Sequence, residues 1–248
     1  MNQIKIIILA GGLGKRMNHA VLPKVLVSLK GKPLISYLLE SVKRSGVCVR
    51  PTVVVGAKAD LVKEALGPDY DYVWQSEQLG TGHAVMCAAP SLKGQAEDIM
   101  VLYGDHMLLK PETIAKLSKA HLEGGKVLTM GTVTVPNFED WRSGFYDFGR
   151  VVRDNTGTVC SIVEKKDATP AQLAICELNP SYFCFKAQWL WQNLSELKNE
   201  NAQGEYYLTD LAHVACRQGA MINTVGIEPL EAIGVNNEEQ LKLVEKLI

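Results

Sequence analysis

The opening segment of the chain joins a short apolar run to a glycine-rich turn. Residues 4–10 read Ile-Lys-Ile-Ile-Ile-Leu-Ala, and residues 11–17 read Gly-Gly-Leu-Gly-Lys-Arg-Met. A continuous apolar run that ends in glycines is typical of a strand covered on both faces of a sheet. Glycine lets backbone amides turn toward an anion, and Arg16 and Lys24 could neutralise phosphate charge. The segment therefore predicts a polyphosphate-binding turn at the end of a buried strand.

The first half of the chain alternates short β-branched runs with segments of helical period. The predicted strands cover residues 4–10, 52–55, 72–74 and 99–103. The predicted helices cover residues 34–42, 58–66, 82–89 and 111–122. This βαβαβαβα order implies a parallel sheet with right-handed crossovers.

The second half changes character and is rich in strands. The predicted strands cover residues 127–135, 150–153, 158–163 and 175–185. The predicted helices cover residues 188–197, 208–218 and 238–247. Because no linker rich in Pro, Gly or Ser separates the halves, we interpret residues 1–248 as one domain with a mixed sheet. The halves meet at about residue 125.

The composition excludes several classes of protein. Of the 248 residues, 47% are hydrophobic and 21% are charged, and the net charge is −1. Such a chain has no global attraction for nucleic acid or for an anionic membrane surface. No apolar stretch approaches the length of a membrane span. The six cysteines show no zinc-binding spacing, so we expect reduced thiols and a cytoplasmic location.

A second glycine loop follows the predicted strand at 72–74. Gln75 and the Gly80-Thr81 pair lie in the segment Gln-Ser-Glu-Gln-Leu-Gly-Thr-Gly-His, just before a predicted helix. A glutamine amide offers a donor and an acceptor, which suits the alternating carbonyl and imide groups of uracil. The alternative is that Thr81 is only a helix N-cap.

Two oxygen-bearing residues are candidates for a metal site. Asp105 follows the buried strand at 99–103, where ligands of α/β sheets collect, and Asn236 precedes the last predicted helix. Mg²⁺ prefers such oxygen ligands. Alone, Asp105 could cap a turn and Asn236 could be an N-cap. His83 and His106 have no nucleophile at a suggestive position, and we interpret both as structural.

A dinucleotide-dependent dehydrogenase is the rival interpretation of the first glycine turn. The dinucleotide-binding fingerprint needs a third small residue, but Met17 occupies that position. The fingerprint also does not require the charged residues Arg16 and Lys24. A Walker loop would need Gly-Lys-Ser/Thr, which the chain lacks.

In order along the whole chain, these segments resemble the sugar-1-phosphate nucleotidyltransferases, most closely the uridylyltransferase half of a bacterial bifunctional enzyme. The stretch 201–210, Asn-Ala-Gln-Gly-Glu-Tyr-Tyr-Leu-Thr-Asp, is the most specific signature. The resemblance implies an α/β Rossmann-like (glycosyltransferase-A-like) fold, with a mixed, mostly parallel central sheet and helices on both faces. It implies a nucleotide-binding half at about 1–125 and a sugar-binding half at about 126–248. No hexapeptide ladder follows residue 230, so we expect no left-handed β-helix domain.

The resemblance also implies a reaction and a set of roles. UTP and N-acetylglucosamine 1-phosphate would give a nucleotide sugar and pyrophosphate by Mg²⁺-dependent in-line displacement. Arg16 and Lys24 would be catalytic, and Asp105 and Asn236 would hold the metal. The nucleotide would contact Leu9, Ala10, Gly11, Gly12, Gly14, Gln75, Gly80 and Thr81. The sugar would contact Gly104, Gly149, Glu164 and Asn179.

The chain departs from the family pattern mainly on the sugar side. Lys15 and Phe148 replace a usual threonine and tyrosine, Pro180 follows Asn179, and residues 137–147 form an extra loop. Other substrates therefore stay open: glucose or glucosamine 1-phosphate as acceptor, and GTP or CTP as donor. A non-catalytic nucleotide-sugar sensor is a further alternative, disfavoured by the paired metal ligands.

Overall fold

The computed structural model of the chain describes residues 4–12 and 22–247. The strands are β1 Ile4–Ala10, β2 Ser28–Leu29, β3 Lys32–Pro33, β4 Thr52–Val55, β5 Asp71–Trp74, β6 Asp98–Tyr103, β7 Leu128–Thr134, β8 Gly149–Arg153, β9 Val159–Val163, β10 Glu177–Asn179, β11 Phe183–Lys186 and β12 Ile222–Gly226. The helices are α1 Leu34–Ser45, α2 Ala59–Leu66, α3 Thr81–Leu92, α4 Pro111–Gly124, α5 Pro170–Leu173, α6 Ala187–Asn193, α7 Asp210–Arg217 and α8 Glu238–Leu247.

Within these described ranges, ten strands form one mixed sheet. β5, β4, β1 and β6 lie side by side and run parallel, as the βαβ alternation predicts. β11 is antiparallel to both β6 and β7, and beyond β7 the sheet continues through β10 and β8 to β9. β12 pairs with β7 off this path. The parallel strands all end at one edge of the sheet, which is where an α/β sheet binds its ligands.

Helices cover both faces of this sheet, so successive side chains of a central strand enter different cores. In β1, Ile6 and Ile8 belong to the cluster that includes α1 and α4. Ile7 belongs to the cluster that includes α3, α6 and α7. A strand covered on both faces has to be apolar throughout, and this explains the run in β1. The structure confirms the predicted mixed, mostly parallel fold with helices on both faces.

The predicted strand at 175–185 is wrong as a single element, because the chain turns within it. Pro180 has no backbone N–H to donate, and Ser181 has a positive φ of 64°. The Asn179 side chain closes this turn by accepting a hydrogen bond from Ser181 N at 3.0 Å. β10 and β11 therefore pair with different strands.

The sequence analysis also missed β12 and the short β2–β3 hairpin. β12 runs parallel to β7 and has the sequence Ile-Asn-Thr-Val-Gly. Its polar residues break the apolar run by which the other parallel strands are recognised.

Candidate active site

The carboxyl ends of the parallel strands open into a cleft of about 360 Å³. The predicted nucleotide, catalytic and metal residues that line it are Leu9, Ala10, Gly11, Gly12, Lys24, Gln75, Gly80, Thr81, Asp105 and Asn236. Gly14 and Arg16 lie outside the described residues. The topology thus brings together residues that are up to 227 positions apart in the sequence, from Leu9 to Asn236.

A cationic centre lies on one wall of this cleft. Lys24 Nζ donates hydrogen bonds to Asp105 Oδ2 at 2.5 Å and to Asn236 Oδ1 at 2.8 Å. Lys24 begins a 3₁₀ turn after Pro23, and Asp105 follows the end of β6. Burial raises the pKa of Asp105, but the charges of Lys24 and His106 outweigh burial and hold that pKa below its usual value. Asp105 is therefore a carboxylate at neutral pH.

Asn236 is free to enter the cleft because its neighbour caps α8. Asn237 Oδ1 accepts a hydrogen bond from Gln240 N at 2.8 Å. This is the N-cap role that the sequence alone would give to Asn236. The Asn236 backbone N–H instead donates to Gln240 Oε1 at 2.7 Å.

The oxygens of Asp105 and Asn236 fit a divalent cation. They converge on one positive charge, the Lys24 ammonium, and a carboxylate with an amide oxygen is a donor set suited to Mg²⁺. In the described part of the chain, no group of three or more His, Cys, Asp or Glu residues could hold a metal ion. The fit therefore depends on the amide oxygen of Asn236.

The loop that carries Gln75 and Thr81 is held by the segment 206–208. Gly82 N donates to Tyr206 O, and Tyr206 N donates to Leu79 O, both at 2.8 Å. Thr81 Oγ1 accepts a hydrogen bond from Leu208 N at 3.0 Å. The N-cap of α3 is Gly80, with no side-chain cap, so the interpretation of Thr81 as an N-cap is wrong. The signature stretch 201–210 thus shapes the wall of the cleft.

The Gln75 amide has a defined orientation in this wall. Its Nε2 donates to Gly80 O at 3.1 Å and lies 3.2 Å from His83 Nδ1. The Oε1 atom faces Gly11, where a Cβ would come within 2.8 Å of it. Glycine at this position allows the first turn and the Gln75 side chain to approach each other.

Three of the predicted sugar residues lie close to one another. Asn179 pairs with Gly149 across β10 and β8, and a Cβ on Gly149 would lie 3.3 Å from Glu164 Oε1. Glu164 lines a second cavity, of about 420 Å³, rather than the cleft, and its Oε1 accepts a hydrogen bond from Thr209 Oγ1 at 3.1 Å. Burial raises the pKa of Glu164.

Two of the four predicted sugar residues, Asn179 and Gly104, are held by contacts within the protein. Both ends of the Asn179 amide contact Ser181, since Nδ2 donates to Ser181 Oγ at 3.3 Å and Oδ1 accepts from Ser181 N. Gly104 lies between the cleft residues Tyr103 and Asp105, and its N–H donates to Leu9 O at 3.0 Å. The predicted sugar residues therefore do not form one continuous wall in this structure.

Six further residues line the cleft and were not predicted as ligands. They are Val25, Gln78, Ala84, Tyr103, His106 and Glu205. Gln78 lies in the glycine loop from which Gln75, Gly80 and Thr81 were predicted, and Glu205 lies in the signature stretch 201–210. Tyr103 and His106 flank Gly104-Asp105. Their position beside a strand end could have predicted that they line the cleft. His106 was interpreted as structural, yet its ring is part of the cleft wall.

The extra loop is an ordered aromatic segment beside Gly149. Its 3₁₀ helix Asp140–Asp147 packs Phe145 against Phe148, with ring centroids 5.0 Å apart. The buried Arg150 guanidinium lies 5.1 Å from the ring centroids of both Phe138 and Tyr146. These cation–π contacts attach the segment to β8.

Across residues 4–12 and 22–247, no helix has the length and apolar character needed to cross a bilayer.

Comparisons with known proteins place this geometry in a family. Residues 6–211 match the model of the MobA-like NTP transferase domain. The protein named "Bifunctional protein GlmU" from Fervidobacterium nodosum is 44% identical over 98% of this chain and 50% of its own length. Proteins of that name from Pelotomaculum thermopropionicum and Caldicellulosiruptor saccharolyticus are 40% and 38% identical, over 98% and 97% of this chain and 51% and 50% of their own lengths.

The chain spans about half the length of the curated relatives that it matches. The match favours a nucleotidyltransferase over a dinucleotide-dependent dehydrogenase, and it confirms the resemblance found in the sequence. The chain belongs to the MobA-like NTP transferase family.

Proposed function

We propose that the chain transfers a uridylyl group from UTP to a sugar 1-phosphate, with N-acetylglucosamine 1-phosphate as the preferred acceptor and pyrophosphate as the second product. The observation that carries this proposal is the convergence of Lys24, Asp105 and Asn236 in a cleft beside a glycine turn. The resemblance of the sequence motifs to the uridylyltransferase half of a bifunctional enzyme supports the choice of sugar. We also propose that residues 1–248 act as one catalytic domain in the cytoplasm.

The mechanism that we propose is direct displacement without a protein nucleophile. A phosphate oxygen of the sugar 1-phosphate forms a bond to the α-phosphorus of UTP, and the bond to the pyrophosphate oxygen breaks. Lys24 would hold the α-phosphate, and Arg16 and the turn amides would stabilise the departing pyrophosphate. Asp105 and Asn236 would hold Mg²⁺, which when bound supplies charge that neutralises the phosphate oxygens. Gly104, Gly149, Glu164 and Asn179 would position the sugar.

The orientation of Gln75 supports uracil as the base. Because Nε2 is engaged by Gly80 O and His83, the amide has only its Oε1 acceptor left for a ligand. Uracil N3 carries a hydrogen that Oε1 could accept, whereas the corresponding nitrogen of cytosine carries a lone pair. We therefore infer that Gln75 favours UTP over CTP.

The test is a matrix of UTP, CTP, GTP and ATP against the 1-phosphates of N-acetylglucosamine, glucose and glucosamine, scored by pyrophosphate release. We expect the highest kcat/KM for UTP with N-acetylglucosamine 1-phosphate. A higher value for another pair would overturn the proposed specificity. Nucleotide binding without pyrophosphate release from any pair would instead indicate a sensor.

A variant pair then tests the proposed centre. Lys24→Met should lower kcat about 10²-fold, the usual cost of one transition-state donor. The matched control is Lys32→Met, because Lys32 is partly exposed and pairs with the exposed Glu40. If Lys24→Met and Lys32→Met had the same kcat, Lys24 would have no catalytic role.

A further inference from the structure

His106 lies beside the proposed cation site, on the wall of the cleft. It directly follows Asp105, and its side chain is only 10% exposed. The mechanism proposed above gives it no role. The question is therefore what the part of its ring that faces the cleft can bind.

A chain of hydrogen bonds fixes which ring nitrogen carries the proton. The Tyr182 hydroxyl donates its single hydrogen to Glu231 O at 2.7 Å. The same hydroxyl lies 2.7 Å from His106 Nδ1, so it has to accept a hydrogen from Nδ1. In the neutral ring, Nε2 then has a free lone pair.

The Nε2 lone pair has no hydrogen-bond partner among the described residues, and the Asp105 carboxylate lies close to it. Nε2 lies 3.9 Å from Asp105 Oδ1, which is too far for a hydrogen bond. Metal–ligand bonds of about 2.1 Å allow up to about 4.2 Å between two ligands of one ion, so a single cation could contact both atoms.

Gly234 allows the ring and the carboxylate to lie side by side. A Cβ at this position would come within 2.8 Å of His106 Nε2 and 3.3 Å of Asp105 Oδ2. No real side chain could be accommodated there without moving the imidazole. Asn236, the other proposed metal ligand, is two residues farther along the same segment.

We propose that His106 Nε2 is a third protein ligand of the divalent cation held by Asp105 and Asn236. This inference rests on the proposed function only in requiring that cation. A nitrogen ligand shifts the preference of a site away from Mg²⁺ and toward Co²⁺, because Co²⁺ lies later in the Irving–Williams order and accepts imidazole well, whereas Mg²⁺ and Mn²⁺ prefer oxygen ligands. The chain should therefore bind Co²⁺ markedly more tightly than an all-oxygen site would.

The direct test is electron spin echo envelope modulation of Mn²⁺ bound to the full chain with UTP. We expect the modulation of a coordinated ¹⁴N nucleus, replaced by that of ¹⁵N when the protein is made with ¹⁵N-labelled histidine. The variant His106→Asn should abolish it. Asparagine keeps a donor near the position of Nδ1 and so retains the contact with Tyr182, but it removes Nε2.

A matched histidine variant controls for other sources of nitrogen. His213→Asn removes an exposed histidine of α7, which lines the second cavity, and should leave the modulation unchanged. Bound Mn²⁺ without a histidine signal in the wild type, or a signal that survives His106→Asn, would overturn the inference while leaving the proposed reaction intact.

Equilibrium titration gives a second readout that does not depend on turnover. His106→Asn should weaken Co²⁺ binding about tenfold or more, while Mg²⁺ binding changes by less than about threefold. Equal weakening for both cations would mean that His106 only positions Asp105, and the ligand assignment would be wrong. If the wild type bound neither cation with UTP and released no pyrophosphate, the proposed function would fail together with the inference.

Discussion

At the scale of single residues, Gly80 shows how two constraints can meet at one position. Its backbone has φ 109° and ψ 176°, a conformation that side chains rarely adopt. A Cβ here would also lie 2.6 Å from Tyr206 O. The position therefore requires glycine both for its dihedral angles and for the contact with the segment that holds the base loop.

We predict that Gly80→Ala destabilises the protein more than Gly31→Ala. Gly31 has φ 81° but nothing within 4 Å of its Cβ position, so alanine there should cost only backbone strain, about 1–2 kcal/mol. Gly80→Ala should exceed that cost by about 1–3 kcal/mol, because the Tyr206 backbone has to move. Urea unfolding of both variants measures the difference. An equal loss of unfolding free energy in the two variants would show that the backbone at Tyr206 can move without a measurable energetic cost.

Most residues that line the cleft could be predicted from the sequence, but the hydrogen-bond partners of their side chains could not. Asp105 follows the buried strand β6 and Gln75 follows the edge strand β5, so position at a strand end was enough to predict them. Asn179 could not be judged in this way, because its amide is used by a turn that depends on Ser181. The contacts of His106 could not be predicted either, because its partner Tyr182 is 76 positions away in the sequence.

At the scale of elements, local pattern predicted what local interactions determine. α1 begins after Pro33 and ends at Gly46, which has φ 71°, as the spacing of apolar residues indicates. β12 was missed because its pairing with β7 is non-local and its half-buried residues show no apolar run. Sheet partners of this kind are chosen by the tertiary fold.

The N-terminus of α7 should make stability depend on pH. Burial and the nearby Asp167 charge raise the pKa of Asp210 to about 6, although His213 lowers it. The unfolded chain releases this proton near pH 4, whereas the folded chain keeps it until about pH 6. Stability is therefore lost as the pH rises through the interval from about 4 to 6.

We predict that Asp210→Asn removes this pH-dependent loss of stability. The free energy of unfolding of the variant should exceed that of the wild type by about 1 kcal/mol at pH 7.5, because solvent screens much of the effect at a half-buried group. The advantage should shrink toward pH 4.5. Asp60→Asn, in the exposed first turn of α2, controls for the interaction of a carboxylate with a helix N-terminus. A pH-independent difference would contradict the assignment.

At the scale of the whole molecule, a buried polar network joins the two halves of the chain. His121 of α4 lies 3.0 Å from Asp98 Oδ1 of β6 and 3.0 Å from Thr129 Oγ1 of β7. Lys186 of β11 lies 2.8 Å from the same Asp98 oxygen. Burial lowers the pKa of His121 against the effect of Asp98, so the neutral ring acts as both donor and acceptor. No sequence pattern indicated this network, because each member lies on a different element.

We predict that the protein loses stability when the Asp98 carboxylate of this network is removed. Asp98 has no exposed surface, whereas the Lys186 side chain is 36% exposed, so Asp98→Asn weakens the hydrogen bonds to a buried carboxylate and leaves a solvated charge behind. The variant should lower the free energy of unfolding by about 2 kcal/mol. The control is Asp71→Asn in β5, which removes a half-exposed ion pair with Arg50 and should cost less than about 1 kcal/mol. Urea unfolding followed by far-ultraviolet circular dichroism measures both variants.

The same experiment tests whether the halves form one domain. Trp74 lies in the first half and Trp141, Trp189 and Trp191 in the second, so fluorescence and circular dichroism weight the halves differently. Because the sheet is continuous and Asp98 connects elements of both halves, we expect one transition in which the two probes coincide. Asp98→Asn should shift both curves equally to lower urea. If the curves separated in the wild type, residues 1–125 and 126–248 would unfold as independent units, and the proposal of a single domain would be wrong.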